Sequence, residues 1–381
     1  MGRKWAISIA CAIFAGCATE QDVTEAEIGS TSAPIQLAPR TDPNGLNWLP
    51  IRKVSGVTTT NTFPSRGQLR LQGRGPTLSI EELAEKLRPV MLSPDYSEYT
   101  LDNEQALELA QAIRNERRRE DERSEPSTGS SPYAPTNLYG TGVFDGESRQ
   151  DLNTVAHEHP FTMIGALLDH CTTFKMINNF TAITSAHCMF DENGWKAKPN
   201  IQFAAGSATP KNVIDGRCYA VTVPNGWIED VGDDEYDYAV IRFREEGAEG
   251  GAACPFEDYN VGAFGFRGVP DCAEKVDGSL AGYPGKNGPG TPPPGNWTYP
   301  TLFNDARTDG WTSCITYPNH LWYYNDNSGG QSGGPFFSNF NGSVEVRAIN
   351  MSIWDGTFDD SNAGRRLDNS VIDFAKKFAG F

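Results

Sequence analysis

The sequence predicts an all-β domain over residues 142–381, preceded by a partly helical N-terminal region. Three observations carry this. After residue 142, short apolar or alternating runs recur between Gly, Pro and Asn clusters, a pattern of sandwiches and barrels. Asn341-Gly342 separates two such runs and is a strong two-residue hairpin signal. Upstream, Ser79-Ile80-Glu81-Glu82 has the form of a capping box, and apolar residues follow it at near-helical spacing.

Arg3 and Lys4 give the chain a positive start, and the apolar run Trp5–Ala15 is too short to span a bilayer. Residues 1–17 therefore read as a signal peptide. They end in Phe14-Ala15-Gly16-Cys17, which resembles the bacterial lipobox, whose Cys is lipidated and becomes the new N-terminus. Cleavage near Ala18 with Cys17 incidental is the other reading. The protein is then either a bacterial outer-membrane lipoprotein anchored through Cys17 or a secreted protein, and both readings export it. Residues 18 to about 80 are rich in Thr, Ser, Pro and Gly and read as a loose tether. Helices are expected near 79–91, on Leu83, Leu87 and Val90, and near 101–122, on Leu107, Leu109, Ala110 and Ile113. Residues 121–140 turn polar and read as a linker. Residues 18–141 are taken as a propeptide, with a permanent accessory domain as the alternative.

The strand-like runs are Phe161–Leu168, Phe180–Ser185, Tyr219–Val223, Tyr238–Phe243, Pro335–Phe340 and Val344–Asn350. Ser370–Phe381 has helical spacing and is expected to pack on the outside of the β-structure. The formal net charge of -17 disfavours nucleic acid as a partner, because phosphate binding needs clustered Lys and Arg. Of eight cysteines, Cys11 and Cys17 lie in the leader. Cys171, Cys188, Cys218, Cys254, Cys272 and Cys314 are an even set in an exported chain, which suggests disulfides. No C-x-x-C pair is present, so a zinc ribbon is not expected. His157-Glu158-His159 reads as surface polar residues rather than a metal site, and Glu229–Glu235 as a solvated acidic loop rather than a calcium site. Trp311, Trp322 and Tyr323 read as packing, and Gly285–Gly295 as a surface loop.

Three short motifs carry the chemistry: Thr184-Ser185-Ala186-His187-Cys188, Asp237-Tyr238-Ala239-Val240-Ile241, and Gly329-Gly330-Gln331-Ser332-Gly333-Gly334-Pro335. A serine hydroxyl is a poor nucleophile unless a base lies within hydrogen-bond reach. His187 can take the Ser332 proton and return it to a leaving amine. Asp237 would hold the imidazole tautomer and stabilise the imidazolium. The glycines permit a tight turn that could aim the Gly330 and Ser332 amides at one oxyanion. The chain order His, Asp, Ser differs from that of subtilisins and α/β-hydrolases.

These motifs resemble the chymotrypsin-like serine proteases, and most the bacterial glutamyl-endopeptidase (V8-like) branch, over residues 142–370. Val143-Phe144-Asp145-Gly146-Glu147-Ser148-Arg149 is similar to that branch's mature start, and Ala281-Gly282-Tyr283-Pro284-Gly285-Lys286 to its Gly-Tyr-Pro element. The resemblance implies two six-stranded antiparallel β-barrels, over about 142–245 and 260–370, with the triad in the cleft between them. It also implies a disulfide between Cys171 and Cys188. The other four cysteines allow three pairings, Cys272 with Cys314 among them. Gln331 stands where trypsin-like zymogens carry the Asp that receives the new amino terminus, so that switch is not available in its usual form. Asn350 stands where the Glu-specific branch has a carboxylate-binding His. Asp326, beside Asn327, stands where trypsin-like enzymes bind Arg or Lys. Acidic, basic and broad preferences all stay open.

The sequence therefore reads as an exported serine endopeptidase acting on protein or peptide substrates through an acyl-enzyme, with no metal or organic cofactor required. Cleavage of the propeptide is expected near 138–143. A catalytically silent surface-binding protein on the same fold is the second reading, which fold alone does not exclude.

Overall fold

The computed structural model describes residues 37–42, 45–55, 57, 78–123, 149–168, 171–244, 254, 260–269, 275–285, 300–306, 310–312, 319–353 and 362–379. All of them belong to one compact unit, Leu37–Phe381. The expected signal peptide with Cys17, the expected cleavage region, Cys272 and Cys314 lie outside the described residues.

The fold is all-β with few helices, in two large sheets dominated by antiparallel pairing. Six strands of the first sheet come from the expected first barrel: Ile164–Leu167, Cys171–Lys175, Thr181–Thr184, Ile201–Phe203, Tyr219–Pro224 and Ala239–Phe243. Alternation of large apolar side chains explains them: Phe174, Ile183, Phe203, Tyr219, Val221, Ile241 and Phe243 all turn into one buried core. Among the described residues the second sheet has nine strands, more than the six expected, and includes Ser279–Gly282, Phe303–Asp305, His320–Tyr323, Pro335–Phe340, Ser343–Ile353 and Asn362–Arg366. The hairpin predicted at Asn341-Gly342 joins Pro335–Phe340 to Ser343–Ile353. Both turn residues have positive φ, 52° and 83°, as a two-residue turn of this type requires.

The first sheet is larger than expected because the N-terminal region joins it. Strands Arg40–Thr41, Asn47–Lys53, Pro89–Leu92 and Ser97–Leu101 extend it to ten, with Pro89–Leu92 paired to Tyr219–Pro224. The composition predicts a tether at 47–53, and the apolar spacing predicts helix through 91. The first helix instead covers Ile80–Leu87 behind the predicted capping box, in which Glu82 N donates to Ser79 Oγ and Ser79 N to Glu82 Oε2. Pro89 stops it, because the residue before a proline is driven from helical to extended backbone, and Arg88 has ψ of 121°. The second helix, Asn103–Arg123, matches expectation. The C-terminal helix, Asn369–Ala379, lies against the first sheet through Tyr238–Phe374 and against the N-terminal region through Trp48–Phe378.

Candidate active site

Two neighbouring strands deliver the first two site residues. Thr181–Thr184 and Ala239–Phe243 are antiparallel partners with Ala239 opposite Thr184. The residues just after the one and just before the other therefore emerge at the same end of the sheet. His187 sits there on the 3-10 turn Ala186–Cys188, and Asp237 follows the 3-10 turn Asp234–Tyr236. Their side chains meet: His187 Nδ1 lies 2.8 Å from Asp237 Oδ2, and the His187 backbone N–H donates to Asp237 Oδ1 at 2.9 Å. The carboxylate thus fixes both the ring and the backbone of the histidine. With Nδ1 as the donor to the carboxylate, Nε2 is left as the basic nitrogen. That Nε2 is buried and has no hydrogen-bond partner among the described residues.

Ser332 comes from the second sheet, on the turn that precedes Pro335–Phe340. This turn is pressed against the first sheet. Thr172 N donates to Ser332 O at 2.8 Å, and Thr172 Oγ1 to Gly330 O at 2.9 Å. Cys171, next to Thr172, is joined by a disulfide to Cys188, next to His187. Cys188 Sγ lies 3.8 Å from Ser332 O. The disulfide implied by the family resemblance therefore ties the histidine turn to the strand on which the serine turn rests. A second disulfide joins Cys218 to Cys254, one of the pairings left open. His187 and the two joined cysteines form a tight group, but both sulfurs are spent in the disulfide and offer no thiolate to a metal.

The glycines of the turn are required by close approach. A Cβ on Gly333, which has φ of 78°, would stand 2.1 Å from Thr184 Oγ1 and 2.3 Å from Thr172 O. A Cβ on Gly330, at φ of 96°, would stand 2.1 Å from Gly285 N. Gln331 N donates to Ser328 O, Gly333 N to Asn350 O and Gly334 N to Gln331 O. The Gly330 and Ser332 amides have no acceptor among the described residues. Two donors left over beside the satisfied amides of Gln331, Gly333 and Gly334 are what an incoming oxyanion needs.

Asn350 is internal. Its Oδ1 accepts from Tyr323 OH and Asn327 Nδ2, and its Nδ2 donates to Asn327 Oδ1 and Gln331 O. A carboxamide has two donors and two acceptor positions, so all four are used. Its backbone clasps the same turn, with O accepting from Gly333 N and Ser185 Oγ, and N donating to Gly334 O. Asn327 is committed to this pairing, and Asp326 is fully buried with its backbone N–H on Asp305.

Three features had no sequence signal. Lys196 is buried and donates to the His187 carbonyl at 2.8 Å. Burial lowers its amine from the usual range, while the charges of Asp191 and Asp237 oppose that shift. His320 Nε2 lies 2.9 Å from Asp234 Oδ2, both fully buried. The acidic stretch before Asp237 is thus partly folded inward, unlike the solvated loop expected. Arg149 is also buried and reaches Gln331. His157 and Glu158 are exposed, as surface polar residues should be, and Trp322 and Tyr323 are packed inside; the Trp311 side chain lies outside the described residues.

No family profile and no curated protein sequence matches this chain. Among solved structures, it is similar to the protease Anisep from Arthrobacter nicotinovorans, at 19% identity and a TM-score of 0.42, covering 61% of this chain and 100% of that one. It is also similar to the thermostable serine protease AL20 from an extremophilic microorganism, at 18% identity and a TM-score of 0.37, covering 54% of this chain and 88% of that one.

Proposed function

We propose that this protein is an exported serine endopeptidase that cleaves protein or peptide substrates through an acyl-enzyme. The observation that carries the reading is the buried His187–Asp237 pair, with Nδ1 2.8 Å from the carboxylate and Nε2 left without a partner among the described residues. In this mechanism Ser332 attacks the scissile carbonyl and His187 Nε2 takes its proton. Asp237 holds the ring and balances the imidazolium. The Gly330 and Ser332 amides receive the oxyanion, a contact worth about 3 kcal/mol per donor in the transition state. The same imidazolium then protonates the leaving amine, and a water activated by His187 releases the acyl group.

Export is supported by the disulfides, which persist in oxidising compartments. We place the lipid at Cys17 and the maturation cut within 138–143. The saturated amide of Asn350 argues against its binding a substrate carboxylate, so preference for Glu rests on no residue named so far. Asp326, fully buried, and Asn327, paired with Asn350, would act on specificity by shaping the wall beside the serine turn rather than by offering a free polar group to substrate.

The test is a cleavage profile on a diverse peptide library read by mass spectrometry, beside labelling with a serine-directed fluorophosphonate. Wild type should cut and label, whereas Ser332→Ala and His187→Ala should lose several orders of magnitude in rate. Near-full turnover in either variant would sink the assignment. The residue before each cut decides between acidic, basic and broad preference.

A further inference from the structure

We propose that Arg149 is a positioning residue for the serine turn: its guanidinium, reaching from the start of the protease part of the chain, holds Gln331 and with it the geometry of Ser332 and the two oxyanion amides. The proposal rests on the protease reading above and goes beyond it in naming what keeps the turn in its working shape.

The contact is long-range and buried. Arg149 is 6% exposed and Gln331 fully buried. Arg149 Nη1 donates to Gln331 Oε1 at 3.0 Å. The same oxygen accepts from Ser328 N at 3.0 Å and from Ser328 Oγ at 3.2 Å. Two of these donors, the guanidinium and a backbone N–H, cannot act as acceptors. They fix which end of the carboxamide faces inward, and Gln331 Nε2 is correspondingly the end without a partner among the described residues. The oxygen therefore gathers Ser328 and Arg149 onto the residue immediately before the nucleophile. On its other side Gln331 is held through its carbonyl by Asn350 Nδ2 at 2.8 Å. Gln331 is thus clamped from two directions, and the amides that flank it, Gly330 and Ser332, are those left for an oxyanion.

Arg149 is itself anchored. It precedes the strand Gln150–Asp151, which pairs with Phe303–Asn304 of the second sheet. It also lies downstream of the expected cut at 138–143, so the brace is present in the chain before and after maturation. A charged donor inside a buried network is worth more than a neutral one, and removing it leaves Oε1 held by Ser328 alone and the turn freer to move. Because the oxyanion amides act on the transition state, the loss should fall on kcat more than on KM.

The experiment compares wild type, Arg149→Met, Arg149→Lys, Arg149→Gly, Gln331→Leu and the double variant Arg149→Met/Gln331→Leu in the full chain. Each is assayed for kcat and KM on a peptide identified from the library, with thermal unfolding alongside. The expected result for Arg149→Met is a loss in kcat of about tenfold to a hundredfold, the size of a lost charged hydrogen bond, with KM within about threefold. Arg149→Lys should be intermediate, since an ammonium keeps the charge without the planar fork. Low-millimolar guanidinium chloride should restore part of the rate of Arg149→Gly, where sodium chloride does not. The double variant should be no worse than the poorer single one.

An unchanged kcat in Arg149→Met overturns the proposal. So does a loss that follows thermal stability across the set, adds in the double variant and is not rescued by guanidinium, because that is a purely structural role. If Arg149→Met fails to fold, Arg149→Lys and Gln331→Leu still decide through kcat and through their own unfolding. A wild type that neither labels nor cuts removes the protease reading itself, an outcome visible before any variant is made.

Discussion

Asp233 lies at the base of the turn that presents Asp237, and its ionisation is displaced. Burial pushes its carboxyl up to about 7, helped by the charges of Glu235 and Asp234. An unfolded aspartate titrates near ~3.9. Between these values the folded protein binds more protons than the unfolded one. The stability that this group contributes is therefore complete below about 4 and lost as pH rises to about 7, after which the curve is flat. Asp233→Asn keeps an oxygen to accept from Glu235 N, as Asp233 Oδ1 does, but removes the proton. It should abolish that slope, as read by urea unfolding at pH 5 and pH 7.5. An equal slope in both proteins would mean that the carboxyl titrates as in water.

At the scale of elements, the disulfide Cys171–Cys188 joins the strand under the serine turn to the turn that carries the histidine. A bridge closing a loop of this length contributes about 3 kcal/mol in the chain-entropy account. Cys171→Ala/Cys188→Ala should therefore unfold at lower temperature and lose turnover before it loses its overall fold. The check is thermal unfolding followed by near-UV and far-UV circular dichroism. Unchanged turnover in the double variant would show that the two turns hold their relation without it. The same elements show how far the sequence could be read. His187, Asp237 and Ser332 each stand in a short motif whose residue types imply a reaction, and the hairpin at Asn341-Gly342 needs only two residues to declare itself. Arg149, Lys196 and the filled amide of Asn350 were not legible, because each acquires its role from a partner distant in the chain. Asn350 was readable only as an altered specificity residue, whereas its contacts make it a clasp on the serine turn. Val90 fits a helical spacing, but Pro89 ends the helix before it, so Pro89–Leu92 forms a strand instead.

For the whole molecule, the consequence of Pro89–Leu92 is that residues 37–123 are built into the first sheet. The strand Tyr219–Pro224 has a hydrogen-bonding edge that this segment covers over four residue pairs, and an uncovered edge invites association with other chains. Side chains lock the junction as well. Trp195 Nε1 donates to Glu98 Oε1 at 2.9 Å, and Lys198 Nζ to Ser93 O at 2.9 Å, both buried. Trp48, Leu83, Leu87, Val90, Leu92, Leu101 and Ile113 share one apolar core with the first sheet. At roughly 1.5–3 kcal/mol for each large apolar side chain buried, seven such residues outweigh the modest cost of association between two parts already in contact. A cut within 124–148 should therefore not release the N-terminal part. Limited proteolysis there should give two bands on a denaturing gel that elute as one species by size exclusion, and that separate only in denaturant. A chain beginning at residue 143, expressed alone, should be aggregation-prone, because the Tyr219–Pro224 edge and the faces of Trp195 and Phe378 would be uncovered. Soluble, active protein from that shorter chain would instead make residues 37–123 a dispensable propeptide. Retention after the cut would make them a standing part of the folded protein, with maturation acting on the segment between the two parts.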